Sequence, residues 1–379
     1  MHWKVAPFTP QHSRIPMIQP LLPLLIVATA AFSLPSQDPA PESEPVDLRT
    51  RYTTGLALRT DIELEQSSER TAMSMVRDGV EVDTSGRLGA PSTLMRSGSV
   101  RDVFAAVEDG LPTTVERTFE VLEGSSTRSR RGEEQVTDAT SPFEGVTLRI
   151  ERGEDGVEVE VEDGDEPEHD GALEGHGIAL AVDRLLPNEP VEPGESWTVE
   201  GDDLMHALGL DLERTLFPPA PREGGGGGDQ GGDRAGGGWA GLYLDADWDV
   251  ELELADEPVE WEGLTCYAIE VEAEGTGEAP ERGFGGGGGG GRPPRALSPA
   301  FSAAPLLVAG EVVLQLEGTL FVSTEMQRPV GFVVEASTTM TTETSRTGQN
   351  DMTIEMSSTT EGTLEIELRY SEAPEEDAE

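Results

Sequence analysis

Alternation of apolar and polar residues with period two dominates this chain, and that period is the mark of half-buried β-strands. Between Tyr52 and Gln66, Leu56, Leu58, Ile62 and Leu64 share one face, and Arg59, Asp61, Glu63 and Glu65 share the other. This predicts a long strand, with Thr71 to Val82 returning antiparallel and Asp78-Gly79 as a turn or bulge. Val146, Leu148 and Ile150 match Val157, Val159 and Val161 across Gly153-Glu154-Asp155-Gly156 as a hairpin. Leu242 to Leu254 and Leu264 to Ala273 read as another hairpin, turning around Pro258. The C-terminal pattern is the cleanest. Val312, Leu314, Leu316, Leu320 and Val322 alternate, then Phe332, Val334, Ala336 and Met340. Ile354, Met356, Leu364, Ile366, Leu368 and Tyr370 then keep one phase through Gly362, which predicts a single strand bent at that glycine. Such strands would run about 15–20 residues, roughly 50 Å at about 3.3 Å per residue. Strands of that length must twist and curl together.

Elsewhere the period changes. Val100, Val103, Phe104 and Val107 fall at helical spacing, with Ser99 as a cap and Gly110 as a stop. Ile178, Ala181, Val182 and Leu185 form a second helical stripe, stopped by Pro187. Asp202-Asp203 open a short helix carrying His206. Residues 123–142 are polar and Arg/Ser-rich, hence a loop. The predicted class is mainly β (α+β): a long-stranded antiparallel curved sheet or half-barrel with two or three short helices. One domain covers 49–371, with disordered Gly-rich insertions at 222–238 and 282–296; two joined sheets split at the first insertion are the alternative. Residues 37–48 read as a flexible acidic, Pro-rich linker and 372–379 as an acidic tail.

Residues 1–36 read as a signal peptide, with Lys4 and Arg14 ahead of the apolar run Leu21 to Phe32. That run is shorter than the roughly 20 residues a spanning helix needs. Cleavage after Ala30 or Ser33 would leave an extracytoplasmic protein, secreted or periplasmic, without a transmembrane segment. The formal charge is −48, so no positive surface meets a phosphate backbone or an anionic membrane. The single cysteine, Cys266, excludes an internal disulfide framework and reads as a small packed thiol.

The most specific local pattern is Leu186-Pro187-Asn188-Glu189-Pro190-Val191-Glu192-Pro193-Gly194-Glu195-Ser196-Trp197. Pro193-Gly194 suits the centre of a type II turn, and Trp197 then anchors a strand. The stretch resembles an uncharacterised class of secreted, β-rich bacterial proteins with a similar L-P-x-x-P-V-x-x-G-x-S-W segment. The resemblance implies an extracytoplasmic bacterial protein with the curved antiparallel sheet of lipoprotein-carrier proteins. It brings no catalytic residues with it.

Candidate chemistry is sparse. Asp245-Ala246-Asp247-Trp248-Asp249 resembles the opening of a calcium loop, but Val250 stands where the turn needs glycine, so the acids read as a strand's solvent face. His169 and His176 lie among Glu166, Glu168, Asp170 and Glu174 without metal-site spacing, and read as surface histidines. Arg128-Ser129-Arg130-Arg131 is a basic cluster expected to pair with acidic strands. No nucleophile elbow, phosphate loop or dinucleotide fingerprint occurs. No catalytic, metal or cofactor residue is assigned. The function predicted is a non-enzymatic binding protein holding an apolar or lipid-like ligand. Its inner face would comprise Leu242, Leu244, Trp248, Leu314, Leu316, Phe332, Val334, Met340, Ile354, Met356 and Leu364, which equally suit a filled core. A structural or interaction protein of the bacterial cell envelope, without a small ligand, is the alternative.

Overall fold

The structure, a computed structural model, describes residues 44–84, 88–130, 133–153, 156–169, 171–218, 239–279, 307–347 and 353–374. The predicted leader, both glycine-rich insertions and the end of the acidic tail lie outside those residues. The described strands form one antiparallel, open sheet of fourteen strands, curved but not closed into a barrel. The first half contains β1 (Ala57–Arg77), β2 (Val80–Val82), β3 (Ser92–Glu108), β4 (Leu111–Arg130), β5 (Glu133–Thr140), β6 (Thr147–Arg152) and β7 (Val157–Asp163). The second contains β8 (Ser196–Thr198), β9 (Asp247–Leu254), β10 (Val259–Trp261), β11 (Leu264–Glu278), β12 (Leu307–Ser323), β13 (Arg328–Thr347) and β14 (Thr353–Glu372). The order β7-β6-β4-β3-β1-β14-β13-β12-β11-β9-β8 makes each half a meander, joined at a β1–β14 seam.

Several expectations change. β1 does not fold back at Thr71: it continues to Arg77, because β14 offers a partner along its whole length. A register shift between Arg70 and Ala72 absorbs the broken alternation, and the turn comes at Asp78-Gly79, both with positive φ. Residues 99–108 are strand, not helix. Val100 and Phe104 point to the core face, Val103 does not, and the slot between them holds a buried acid, Asp102. Residues 123–130 and 133–140 are not a loop but paired strand, the β4–β5 arm, and nearly uniform exposure on β5 explains the missing apolar phase. Part of the predicted linker is packed: Val46 bridges to Val191, and Leu48 is 1% exposed. β14 does run unbroken through Gly362, and the 147–163 hairpin forms in the predicted phase.

The register stacks like with like across the strands. On one face Leu252, Val271, Gly318, Val334, Ile366 and Leu64 lie in a row over β9, β11, β12, β13, β14 and β1. Gly318 is required there: a Cβ would sit 2.8 Å from Val334 and 2.9 Å from the Val333 carbonyl. The neighbouring row, one residue along, is Glu251, Glu272, Glu317, Glu335, Glu365 and Glu65, all exposed. Adjacent strands lie about 4.8 Å apart, so these carboxylates repel, which opposes pairing. The melting temperature is therefore expected to rise from about 10 mM to about 1 M salt, as the Debye length falls from about 30 Å to about 3 Å. The double variant Glu317→Gln/Glu335→Gln should melt higher at low salt, and thermal scans should show that gain vanish at high salt.

Candidate functional site

Helical segments described between β7 and β9 lie over the apolar face. They comprise a 3₁₀ helix (Ala181–Leu185), α1 (Gly201–Ala207), α2 (Leu210–Leu216) and α3 (Trp239–Leu244). These helices are short, and burial rather than propensity holds them. Leu204, Met205, Ala207, Leu208 and Leu210 are all nearly inaccessible. Gly209, at φ 68°, supplies the left-handed residue that turns α1 into α2.

Most of the predicted inner face proves to be packed core. Leu314, Leu316, Phe332, Val334, Met340 and Leu364 are each at most 5% exposed. Ile354 and Met356 are half-buried near the start of β14. Leu242 and Leu244 are half-buried on α3 rather than on a strand; β9 begins only at Asp247. The buried residue of α3 is Tyr243, whose hydroxyl bonds Thr338 Oγ1 at 2.7 Å. Trp248 stacks on Tyr243 and donates to its carbonyl at 2.8 Å. The Trp248 side chain leaves room only for glycine at Gly201 and Gly275, where an added Cβ would lie 2.7 Å from its Cβ and 2.9 Å from its ring.

A hollow of about 140 Å³ lies one strand group further on, between α1–α2 and β1, β3, β4 and β14. None of the predicted inner-face residues lines it. Ile62, Leu64, Val100, Phe119 and Leu122 form its floor, and Leu208, Leu212 and Leu216 its roof. At one end Arg117 of β4 and Asp102 of β3, directly opposite each other, make a two-bond ion pair of 2.7 and 2.8 Å. Burial works against the charge on Arg117, but the facing carboxylate outweighs it and raises the pKa. Tyr370 borders the same end; burial, then the carboxylates of Asp183 and Asp102, push its pKa far up, so its hydroxyl stays protonated. At the other end Arg96 reaches Glu213 of α2 at 3.4 Å and lies 4.4 Å over the Phe217 ring.

Beside the hollow, the segment leading into β1 is tied to the 3₁₀ helix. Thr50 Oγ1 donates to Asp183 Oδ1 at 2.5 Å, and the Tyr52 hydroxyl donates to Oδ2. The same hydroxyl accepts from the Leu180 N–H at 2.9 Å. Burial raises the Asp183 pKa to about 6 against these two bonds. The histidines were misjudged by sequence. His176 is 4% exposed and packs on Phe119 and Phe143, and His169 meets the Phe143 edge. No cluster of three metal-ligating side chains occurs among the described residues. Cys266 is a buried thiol whose pKa burial raises. Trp197 does anchor its strand, donating to the Leu185 carbonyl at 2.9 Å, and Gly194 takes φ 78° as the turn requires.

No protein family matches the sequence, and no curated protein matches it. Among solved structures the chain is similar to a lipovitellin structure concerned with lipid–protein interactions. That match has a TM-score of 0.33 and 6% identity, over 86% of this chain and 26% of that one. It is also similar to the β-barrel secretin domain of InvG from Salmonella, with a TM-score of 0.13 and 7% identity, over 86% and 65%. The chain spans only about a quarter of the lipovitellin chain, 26%. At such scores neither likeness carries weight for function.

Two outcomes test the polar groups. Asp183 has a folded pKa above its ordinary value of 3.8, so its stabilising share is complete below that value and lost as pH rises through about 6. The stability of the wild-type chain relative to Asp183→Asn should thus fall between about pH 4 and pH 7, by at most about 3 kcal/mol, and stay level above that. Denaturant melts at several pH values measure it. Arg117→Met should cost about 3–5 kcal/mol by stranding Asp102, and adding Asp102→Leu should recover much of that loss.

Proposed function

We propose that the protein is a non-enzymatic, extracytoplasmic binding protein that holds an apolar, lipid-like ligand between the sheet and α1–α2. One observation carries this reading: a largely apolar hollow lies between the sheet and the helices, beside a core whose strand residues are fully packed. Ligand sites combine such apolar walls with a few placed polar groups. Here Tyr370, Arg96 and the Asp102–Arg117 pair fill that part. The roof is light, because α1 and α2 are seven residues each and α2 is tied to the sheet by the Arg96–Glu213 contact. Lifting it would enlarge the site. The leader-like sequence at residues 1–36 supports the compartment.

A second reading, an interaction protein of the cell envelope, draws on apolar side chains exposed on the acid-bearing face. Met95, Val121 and Val313 are 51%, 42% and 40% exposed there. Native mass spectrometry of protein purified from its own envelope separates the two readings. The first expects co-purifying lipid and uptake of a fluorescent fatty acyl probe. Leu216→Trp, which fills the hollow, should reduce uptake about tenfold while costing about 1–3 kcal/mol in stability. Absence of both lipid and uptake would leave the second reading.

A further inference from the structure

The hollow under α2 does not end at Leu64 and Glu213. Both residues also wall a second hollow of about 170 Å³ beneath the start of α2. The register of β1, β3 and β4 shows how the chemistry changes from one to the other. Thr60, Val100 and Phe119 lie in line, and Ile62, Gly98 and Leu122 follow, so the sheet is mostly apolar there. Leu64, Arg96 and Gly124 come next. The two rows beyond are Gln66, Leu94 and Ser126, then Ser68, Ser92 and Arg128. All of these positions share the helix-covered phase, so polar side chains occupy slots that hold Leu and Val elsewhere in the sheet.

Gln66 is the decisive member. It is 7% exposed, lines the second hollow, and its amide has no hydrogen-bond partner among the described residues. Its amide is not sealed from solvent, so it keeps donors and an acceptor for a group that enters the space. Ser68 and Ser92 bond each other at 2.8 Å, and each hydroxyl keeps capacity for a second partner. Arg128 lines the space without an ion pair among the described residues, in a chain whose acids outnumber its bases 74 to 26. Glu213 is the one carboxylate in the wall, and Arg96 compensates its charge at 3.4 Å. Guanidinium, amide and hydroxyl groups lining one hollow, with Arg128 at its exposed margin, suit an oxyanion.

We propose that this second hollow receives the oxyanion headgroup, phosphate or carboxylate, of an amphiphile whose chain lies in the apolar hollow next to it. The proposal rests on the apolar-ligand reading and gives that ligand a polar end. Together the two hollows approach the low end of the roughly 300–1,000 Å³ typical of ligand sites. Arg128 thereby gains a role that pairing with acidic strands does not supply.

Calorimetric titration of the full chain with dodecyl phosphate, dodecanol and inorganic phosphate, below micelle formation, tests it. Dodecyl phosphate should bind about tenfold tighter than dodecanol, because a charge-assisted pair adds to the same apolar burial. Arg128→Gln and Gln66→Leu should each erase that preference and leave dodecanol affinity unchanged. Gln66→Leu removes the unpaired amide and should not lower the melting temperature, so a lost preference cannot be blamed on unfolding. Equal affinity for the two amphiphiles, or a preference untouched by both variants, would overturn the headgroup proposal and leave the apolar-ligand reading standing. Inorganic phosphate binding as tightly as dodecyl phosphate would also overturn it, since the anion would then need no chain. Failure of both amphiphiles to bind would remove the underlying reading and the proposal with it.

Discussion

The register of β1 against β14 is the constraint on which the rest depends. Side chains alternate with a period of two, so a slip of one residue would exchange the faces of a strand. Leu64 faces Ile366, and Glu65 faces Glu365. Slipped by one, a glutamate would lie under the helices and a leucine in water. Apolar burial on one face therefore fixes the same register that forces carboxylates together on the other. The hydrophobic rows win because Gly318 and Gly275 let Val334 and Trp248 pack closely against the strands. Everything placed on the helix-covered face, including the hollows, inherits its position from that register.

Polar side chains do not intrude evenly on that face. Over β12 and β13 the layer is filled by Leu314, Leu316, Phe332 and Val334, and the buried Thr338 is bonded to Tyr243. Over β1, β3 and β4 the same phase holds Gln66, Arg96, Asp102, Arg117 and Arg128. Some of these are paired within the protein and others are not. That asymmetry, more than volume, distinguishes one half of the sheet from the other.

Much of the architecture was readable in the sequence, and the failures share a cause. β12, β13 and β14 announced themselves because each carries an uninterrupted apolar phase. β3 was mistaken for a helix because Asp102 occupies a core slot and Val103 faces away, which leaves apolar residues at a helical spacing by coincidence. The β4–β5 arm has no covered face and so no pattern to read. The site was hidden for the same reason as β3. Gln66, Arg96 and Asp102 look like solvent-face residues until their phase is compared with Leu58, Leu64 and Val100 across the register. A polar residue in the apolar phase of a strand was the signal available. Where the helices would leave space above it depends on tertiary packing, which alternation does not encode.

The seam also decides the order in which the molecule can be made. Ser67 and Thr363 touch across it although 296 residues separate them. The first meander is therefore synthesised and waits with the edge of β1 open until the final strand arrives. Contacts so distant in sequence make closure slow, and an open edge is what invites association with another chain. The waiting edge already carries Glu63 and Glu65, and it is completed by a strand bearing Glu367 and Glu365 opposite them. The carboxylates that weaken the finished sheet thus also repel copies of the unfinished one, trading equilibrium stability for protection along the folding route.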